Sequence, residues 1–221
     1  ADTTGGRRRA ALDRVVWTFA PDPTTAFARV VTGEADVFEN VRPDRVAEVT
    51  RSAALRLDVA PGLDYHYVAF NLHRDAAAAA HPVFGDRDVR RALTMALDRR
   101  AIVRVMFDTL ARVALGPFPR AVATADSTIV QLPHAPDSAA RLLDAAGWMR
   151  GADGVRAKGG VPLAFGVLVP SVAASRIRAA TVMQEQLRAV GARVTIEQVD
   201  FPAFLARLDA RTAPPQSVSV L

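Results

Sequence analysis

Half of the 221 residues are hydrophobic, enough to bury a full-sized core as one large domain or two modest ones, which excludes a disordered chain. The formal charge of +5 comes from arginines scattered along the chain, with Lys158 the single lysine and no aromatics interleaved among them, which excludes the clustered footprint of a nucleic-acid-binding surface. The absence of cysteine excludes disulfides, thiolate metal sites and a cysteine nucleophile.

The run Arg7-Arg8-Arg9 lies in a Gly-flanked N-terminal tail and reads as a solvated end. Val15-Val16-Trp17-Thr18-Phe19 is β-branched and aromatic and predicts a strand. Asp22 before Pro23 predicts a helix start with proline at the first helical position, and Gly33 its end. Ala35 to Val41 returns to strand character, Pro43-Asp44 opens a short helix with Val46 and Val49 inward, and Leu55, Leu57 and Val59 alternate as a strand ended by Pro61-Gly62. This β-α-β-α-β order argues for an α/β sheet.

Tyr65 to Asn71 is the most strand-like segment, with bulk on both faces, and the alanine-rich stretch Asp75 to His81 reads as an inserted loop. Asp86 to Phe107 predicts a bent pair of helices, the second capped by Asp98. Gly116-Pro117-Phe118-Pro119 breaks the chain, and Asp137 is expected to cap a helix that ends at Gly147. A tight turn at Gly151 to Gly154 then leads to strands at Val155 to Lys158 and Pro162 to Val169. Ile177, Ala180, Met183, Leu187 and Val190 recur at helical spacing up to Gly191, before a strand at Arg193 to Val199, a short helix at Phe201 to Leu208 and a strand from Gln216. The longest uncharged stretch, Gly159 to Ser175, is broken by Pro162, Gly166 and Pro170 and falls short of the ~20 apolar residues of a membrane span. Ala1-Asp2-Thr3-Thr4 lacks the basic start and apolar run of a signal peptide.

No phosphate-binding glycine loop or Gly-x-Ser-x-Gly elbow occurs, and no serine lies near a histidine that would serve as its base. His66, His73, His81 and His134 are too sparse for a metal site, His66 reading as a satisfied strand histidine. The acidic pairs Glu34 with Asp36 and Asp86 with Asp88 fall at helix ends, where capping explains them. No catalytic residue, metal site or cofactor is therefore expected. Tyr65, Tyr67, Phe70 and Phe118 are aromatics that either line a pocket or pack a seam.

Asp22-Pro23-Thr24-Thr25, then Thr32 to Val37, then Pro61-Gly62-Leu63 leading to Tyr67-Val68-Ala69-Phe70-Asn71, resembles the peptide/nickel class (family 5) of extracellular solute-binding proteins of ABC importers. Asp88 to Leu93, Ala96-Leu97-Asp98-Arg99, Gly116-Pro117, Leu142 to Trp148 and Gln184 to Leu187 before Val190-Gly191 continue the series in order, so the resemblance covers almost the whole chain. The resemblance implies an α/β, two-lobed periplasmic binding protein-like fold of type II, here as a partial first lobe (1–72), a crossover (73–84) and a second lobe (85–221) truncated at its C-terminal end. It implies further chain before Leu12 and, after the last strand, a Gly-Trp segment carrying an acidic ligand contact, so this fragment is expected to bind its solute weakly or not at all.

The implied function is capture of a peptide or similarly sized solute and its delivery to a membrane permease, by a monomer that is periplasmic or extracellular and lipid-anchored in some members. The expected partners are thus the solute and the permease, with no nucleic acid. The candidate cleft residues are Tyr65, Tyr67 and Asn71 at the crossover, Phe118 in the proline turn, and Arg176 or Arg178 at the start of a helix, where an arginine pairs with a ligand carboxylate. The competing readings are an enzyme or catalytic accessory on the same architecture and an Arg-rich nucleic-acid-binding domain. Ligand identity is not legible at this level.

Overall fold

The computed structural model describes residues 12–39, 41–72, 79–209 and 217–220. The chain divides into two compact units, one ending at Leu57 and the other starting at Asp58. In the first unit, helix α1 (Pro23–Val31) starts as its sequence dictates: the Asp22 carboxylate accepts from the amides of Thr24 (2.8 Å) and Thr25 (3.0 Å), and Pro23 occupies the first turn. These bonds, with one from the Thr25 hydroxyl, hold the Asp22 carboxyl below its ordinary pKa. A 3-10 turn (Pro43–Arg45) leads into helix α2 (Val46–Arg51). Phe27 and Val49 are buried, and the Phe27 ring meets Phe38 and the Arg45 guanidinium.

The strands expected at Val15 to Phe19, Ala35 to Val41 and Leu55 to Val59 are not formed among the described residues. Trp17 is 76% and Phe19 94% exposed. Strand propensity measures fit to a pleated, half-buried surface, and without a ladder partner these residues take up no regular structure among those described.

The second unit begins its regular structure with β1 (Val68–Phe70), shorter than the segment Tyr65 to Asn71 predicts, and continues with α3 (Arg87–Ala96), α4 (Arg99–Phe107) and α5 (Pro136–Ala145). Asp86 caps α3 through the Asp88 amide (2.8 Å), and Asp98 caps α4 through the amides of Arg100 and Ala101, so the expected bent pair breaks at Leu97. The start of α5 differs from the expectation: Ala135 is the cap position and Pro136 takes the first turn, leaving Asp137 inside it. Proline's fixed φ and missing N–H suit that position, and the Asp137 charge there favours the helix dipole without capping it.

The hairpin strands β2 (Met149–Arg150), β3 (Arg156–Lys158) and β4 (Val161–Pro162) form a small antiparallel sheet. They precede β5 (Ala164–Pro170), α6 (Ala174–Ala189), β6 (Arg193–Val199), α7 (Phe201–Asp209) and β7 (Ser217–Val220). The main sheet has the order β1-β7-β5-β6. β5 runs parallel to β6 from Ala164↔Arg193 to Pro170↔Val199 and parallel to β7 from Gly166↔Ser217 to Leu168↔Ser219, whereas β1 is antiparallel to β7 with Val68↔Val220 and Phe70↔Val218. This pairing groups β1 with the second unit, so the division seen here falls earlier in the chain than the expected boundary at 73–84. His73 and most of the alanine-rich stretch lie outside the described residues.

One face of β5 carries Phe165, Val167 and Val169 into a core with Phe84, Leu93, Leu143, Trp148, Ala180 and Leu187. Each fully buried side chain of the Val, Leu or Phe size stabilises by roughly 1.5–3 kcal/mol. On the other face Gly166 makes room for the Glu197 carboxylate, which pairs with Arg207 of α7 at 3.1 Å; a Cβ on Gly166 would lie 2.6 Å from Glu197 Oε1. The core thus fixes which ends of the strands and helices lie together.

Candidate ligand-binding rim

Because β5, β6 and β7 are parallel, their carboxyl ends form one edge of the sheet. β1 is antiparallel to them, so its entering segment, Tyr65 to Tyr67, arrives at that same edge. The connection from β5 to α6 (Ser171 to Ala173) and the first turns of α6, with Arg176 and Arg178, also start there. Helix α4 runs antiparallel to α6: near its start the Asp98 N–H donates to Gln186 Oε1 (2.9 Å), and near its end the Val105 carbonyl accepts from Arg178 Nε (3.4 Å). Phe107, the last residue of α4, lies 5.0 Å from the His66 ring, so the end of α4 bridges the β1 entry and the α6 start. β1 and β5 are two strand positions apart, roughly 10 Å.

Of the sequence-predicted residues, Tyr65, Tyr67, Arg176 and Arg178 therefore share this rim. The tyrosines are 40% and 44% exposed, with ring centroids 5.7 Å apart. Arg176 is half-buried, and among the described residues its guanidinium makes no hydrogen bond or ion pair; Arg178 is exposed and spends Nε on Val105. His66 is exposed, with its ring against Phe107. Asn71 follows β1 and so lies at the opposite, amino end of the sheet. Phe118, 53% exposed, sits in the long connection between α4 and α5. Sequence reasoning missed Val172, 81% exposed, and Phe201, 47% exposed, which follow β5 and β6 on the rim. Their signal was an apolar residue two places beyond the last residue of a strand.

At the other end of the sheet the chemistry is structural. Arg156, 4% exposed, donates to the carbonyls of Trp148 (2.6 Å) and Val190 (2.8 Å) and pairs with Asp144. The hydrogen bond from Arg156 holds the Asp144 carboxyl below its usual pKa. Among the described residues no three His, Asp or Glu side chains gather as a metal site, and no helix is long and apolar enough to cross a membrane.

Open α/β sheets bind ligands outside the carboxyl ends of their strands, and that edge here presents apolar surface with a half-buried, unpaired cation. The fold is that of the two-lobed periplasmic binding proteins, present in part. Residues 5–216 match the family of bacterial extracellular solute-binding proteins, family 5 (middle region), and the chain belongs to that family. It is 30% identical over 145 residues to Heme-binding protein A of Haemophilus influenzae, covering 65% of this chain and 25% of that protein. It is 28% identical over 210 residues to the oligopeptide-binding protein AppA of Bacillus subtilis, covering 91% of this chain and 36% of AppA. Among solved structures, NikA from Brucella suis in complex with Fe(III)-EDTA superposes with a TM-score of 0.76 at 25% identity, over 91% of this chain and 40% of NikA. AppA in complex with a nonapeptide gives a TM-score of 0.72 at 26% identity, over 91% of this chain and 39% of AppA. The chain thus spans about a quarter to a third of the curated relatives it matches.

Proposed function

We propose that the protein carrying this chain is the substrate-binding component of an ABC importer, which captures a peptide or similarly sized solute between two lobes and hands it to a membrane permease. Family membership supports the mode of action, and the names of the relatives, among them an oligopeptide-binding and a di/tripeptide-binding protein, support the solute class. The observation that carries the reading is the rim: Tyr65 and Tyr67 offer ring faces to a solute of varied side chains, and Arg176 offers an unspent guanidinium to a carboxylate. No bond is made or broken in this function; closure follows from contacts made only in the closed state. The protein works as a monomer in the periplasm or outside the cell, free or lipid-anchored. Asn71, at the far end of the sheet, and Phe118, in the α4–α5 connection, stand outside the set of contacts proposed for the rim.

The test is isothermal calorimetry on the complete protein with tri-alanine, a mixed nonapeptide and an iron chelate. Peptide binding that weakens about tenfold in Arg176→Ala, with an unchanged Tm, is the expected result. Binding of the chelate and of no peptide overturns the solute class, and turnover of any of the three overturns the receptor reading.

A further inference from the structure

Between β1 and α3 the chain is tied down by a histidine. The His81 N–H donates to the Leu72 carbonyl (2.9 Å), and its own carbonyl accepts from the Gly85 N–H (2.8 Å). Its ring Nδ1 accepts from the amides of Val83 (3.0 Å) and Phe84 (2.9 Å). This turn is closed so tightly that a Cβ on Gly85 would lie 2.6 Å from the His81 carbonyl oxygen. One imidazole, 2% exposed, is thus the acceptor for two buried backbone donors, a task that requires it to be neutral.

The same turn places the ring that secures β1. Phe84 is fully buried, stacks on His81 (4.6 Å between centroids), and touches both Phe70 of β1 (5.2 Å) and Phe165 of β5 (4.9 Å). β1 is three half-buried residues long and stands at the end of the sheet order, with β7 as its ladder partner. Its hold on the molecule therefore depends on Phe70 against Phe84 as well as on a short ladder, and it begins directly after Tyr67, so looseness in β1 reaches the Tyr65–Tyr67 pair. The charged groups around the turn are engaged with one another or with backbone. Asp86 pairs with Lys158 of β3 (3.8 Å), Asp88 with Arg91 (3.9 Å), and Arg90 donates to the Phe84 (2.6 Å) and Gly85 (3.1 Å) carbonyls, while β1 and β5 bring apolar side chains.

We propose that His81 is an acid-sensitive latch: protonating its ring frees Phe84 from β1 and β5, loosens the Tyr65–Tyr67 entry to β1, and so lets the solute go in acid. An imidazolium has two donors and no acceptor, so its Nδ1–H would face the N–H groups of Val83 and Phe84, and the ring must leave its place. When it leaves, Phe84 loses a stacking partner and a backbone bond together. Burial, which holds the ring neutral down to a pH of about 4, sets where the latch yields.

Release rests on the receptor reading; the latch itself does not, and two measurements on the complete protein keep them apart. Hydrogen exchange reads the latch in the wild type. From the two pKa values, an opening that exposes the ring becomes ~60-fold more frequent at pH 4.5 than at pH 7. The amides of Val83, Phe84 and β1 are expected to show it, exchanging faster than those of β5 and α6 and with a shallower dependence on urea. The same protection and slope throughout would mean that the ring titrates only when the whole unit unfolds, which overturns the latch. Calorimetry with tri-alanine reads release. An opening that holds ~3% of the molecules at pH 7 holds more than half of them at pH 4.5, so wild-type affinity is expected to fall about threefold. His81→Asn keeps an acceptor and does not titrate, and its affinity is expected to stay level; an equal fall in both proteins overturns release through His81. A wild type that binds no tri-alanine at either pH fails the receptor reading instead, and the exchange pattern still decides the latch.

Discussion

His81 is 2% exposed and stacks on Phe84 at 4.6 Å, with Nδ1 accepting from the amides of Val83 (3.0 Å) and Phe84 (2.9 Å). An accepting Nδ1 puts the single proton on Nε2, which has no partner among the described residues. Protonating the ring would turn Nδ1 into a donor facing two donors, and burial alone pushes the pKa down to about 4. The folded state therefore holds the neutral ring while the unfolded chain protonates near its ordinary value of 6.5. Between those values the unfolded state binds more protons, so stability is complete above pH 6.5 and falls as pH drops towards 4, by roughly 3 kcal/mol in all. His81→Asn keeps an acceptor for the two amides and removes the titration. Urea unfolding at pH 7 and pH 4 is expected to show about 3 kcal/mol less acid loss in this variant than in the wild type; an equal loss in both would place the acid sensitivity elsewhere. The sequence shows a histidine before a proline turn, but its burial depends on Phe84 and the core behind it, which no local pattern reveals.

At the scale of elements, what was legible is what the chain encodes over a few residues. Asp86 and Asp98 cap their helices, Ile177 to Val190 forms the long amphipathic helix, and Val194 to Val199 the strand that follows, because each signal lies within a single element. Asp98→Ala, which leaves the amides of Arg100 and Ala101 without their acceptor, is expected to cost ~1 kcal/mol in denaturant unfolding. Arg156 was not legible, since its partners Asp144, Trp148 and Val190 come from three segments that only the fold brings together. Gly191 is legible as a helix end, but its second role is not: besides φ +90°, a Cβ there would lie 2.8 Å from Arg156 Cγ, a stem fixed by buried hydrogen bonds. Gly191→Ala is thus expected to destabilise by about 2 kcal/mol, above the roughly 1 kcal/mol of a positive-φ glycine that is open on all sides. Gly33, with φ +78° and nothing within 4 Å of where a Cβ would sit, is the internal comparison, and equal losses at the two sites would show that Arg156 yields. For the rim, the aromatic and arginine residues were visible as types, and the separation of Asn71 from Tyr65 and Tyr67 required the antiparallel direction of β1.

Over the whole molecule the two units differ in how much apolar surface they enclose. In the first, Phe27 and Val49 are the buried hydrophobic residues among those described, and Val15, Val16, Trp17 and Phe19 stay exposed. In the second, a core runs from Val83 through Leu93, Leu143 and Trp148 to Val194. Conformational entropy is lost per residue in both, whereas hydrophobic stabilisation scales with the area buried, so the smaller core has less to set against that loss. Helix α1 has its Asp22 cap, whereas α2 has no side-chain cap and is supported locally by short-range pairs such as Arg45–Glu48 at 2.9 Å, which is largely solvent-exposed and contributes a few tenths of a kcal/mol. Hydrogen exchange should therefore report two openings: the amides of Ala26 to Val31 and Val49 to Arg51 exchanging ~100-fold faster than those of β5, β6 and the middle of α6. Denaturant sharpens the test, because a separate opening of the first unit depends on urea with a shallower slope than global unfolding. A single protection level and a single slope for all these amides would mean that the first unit draws its stability from the second, and that the two unfold as one cooperative body.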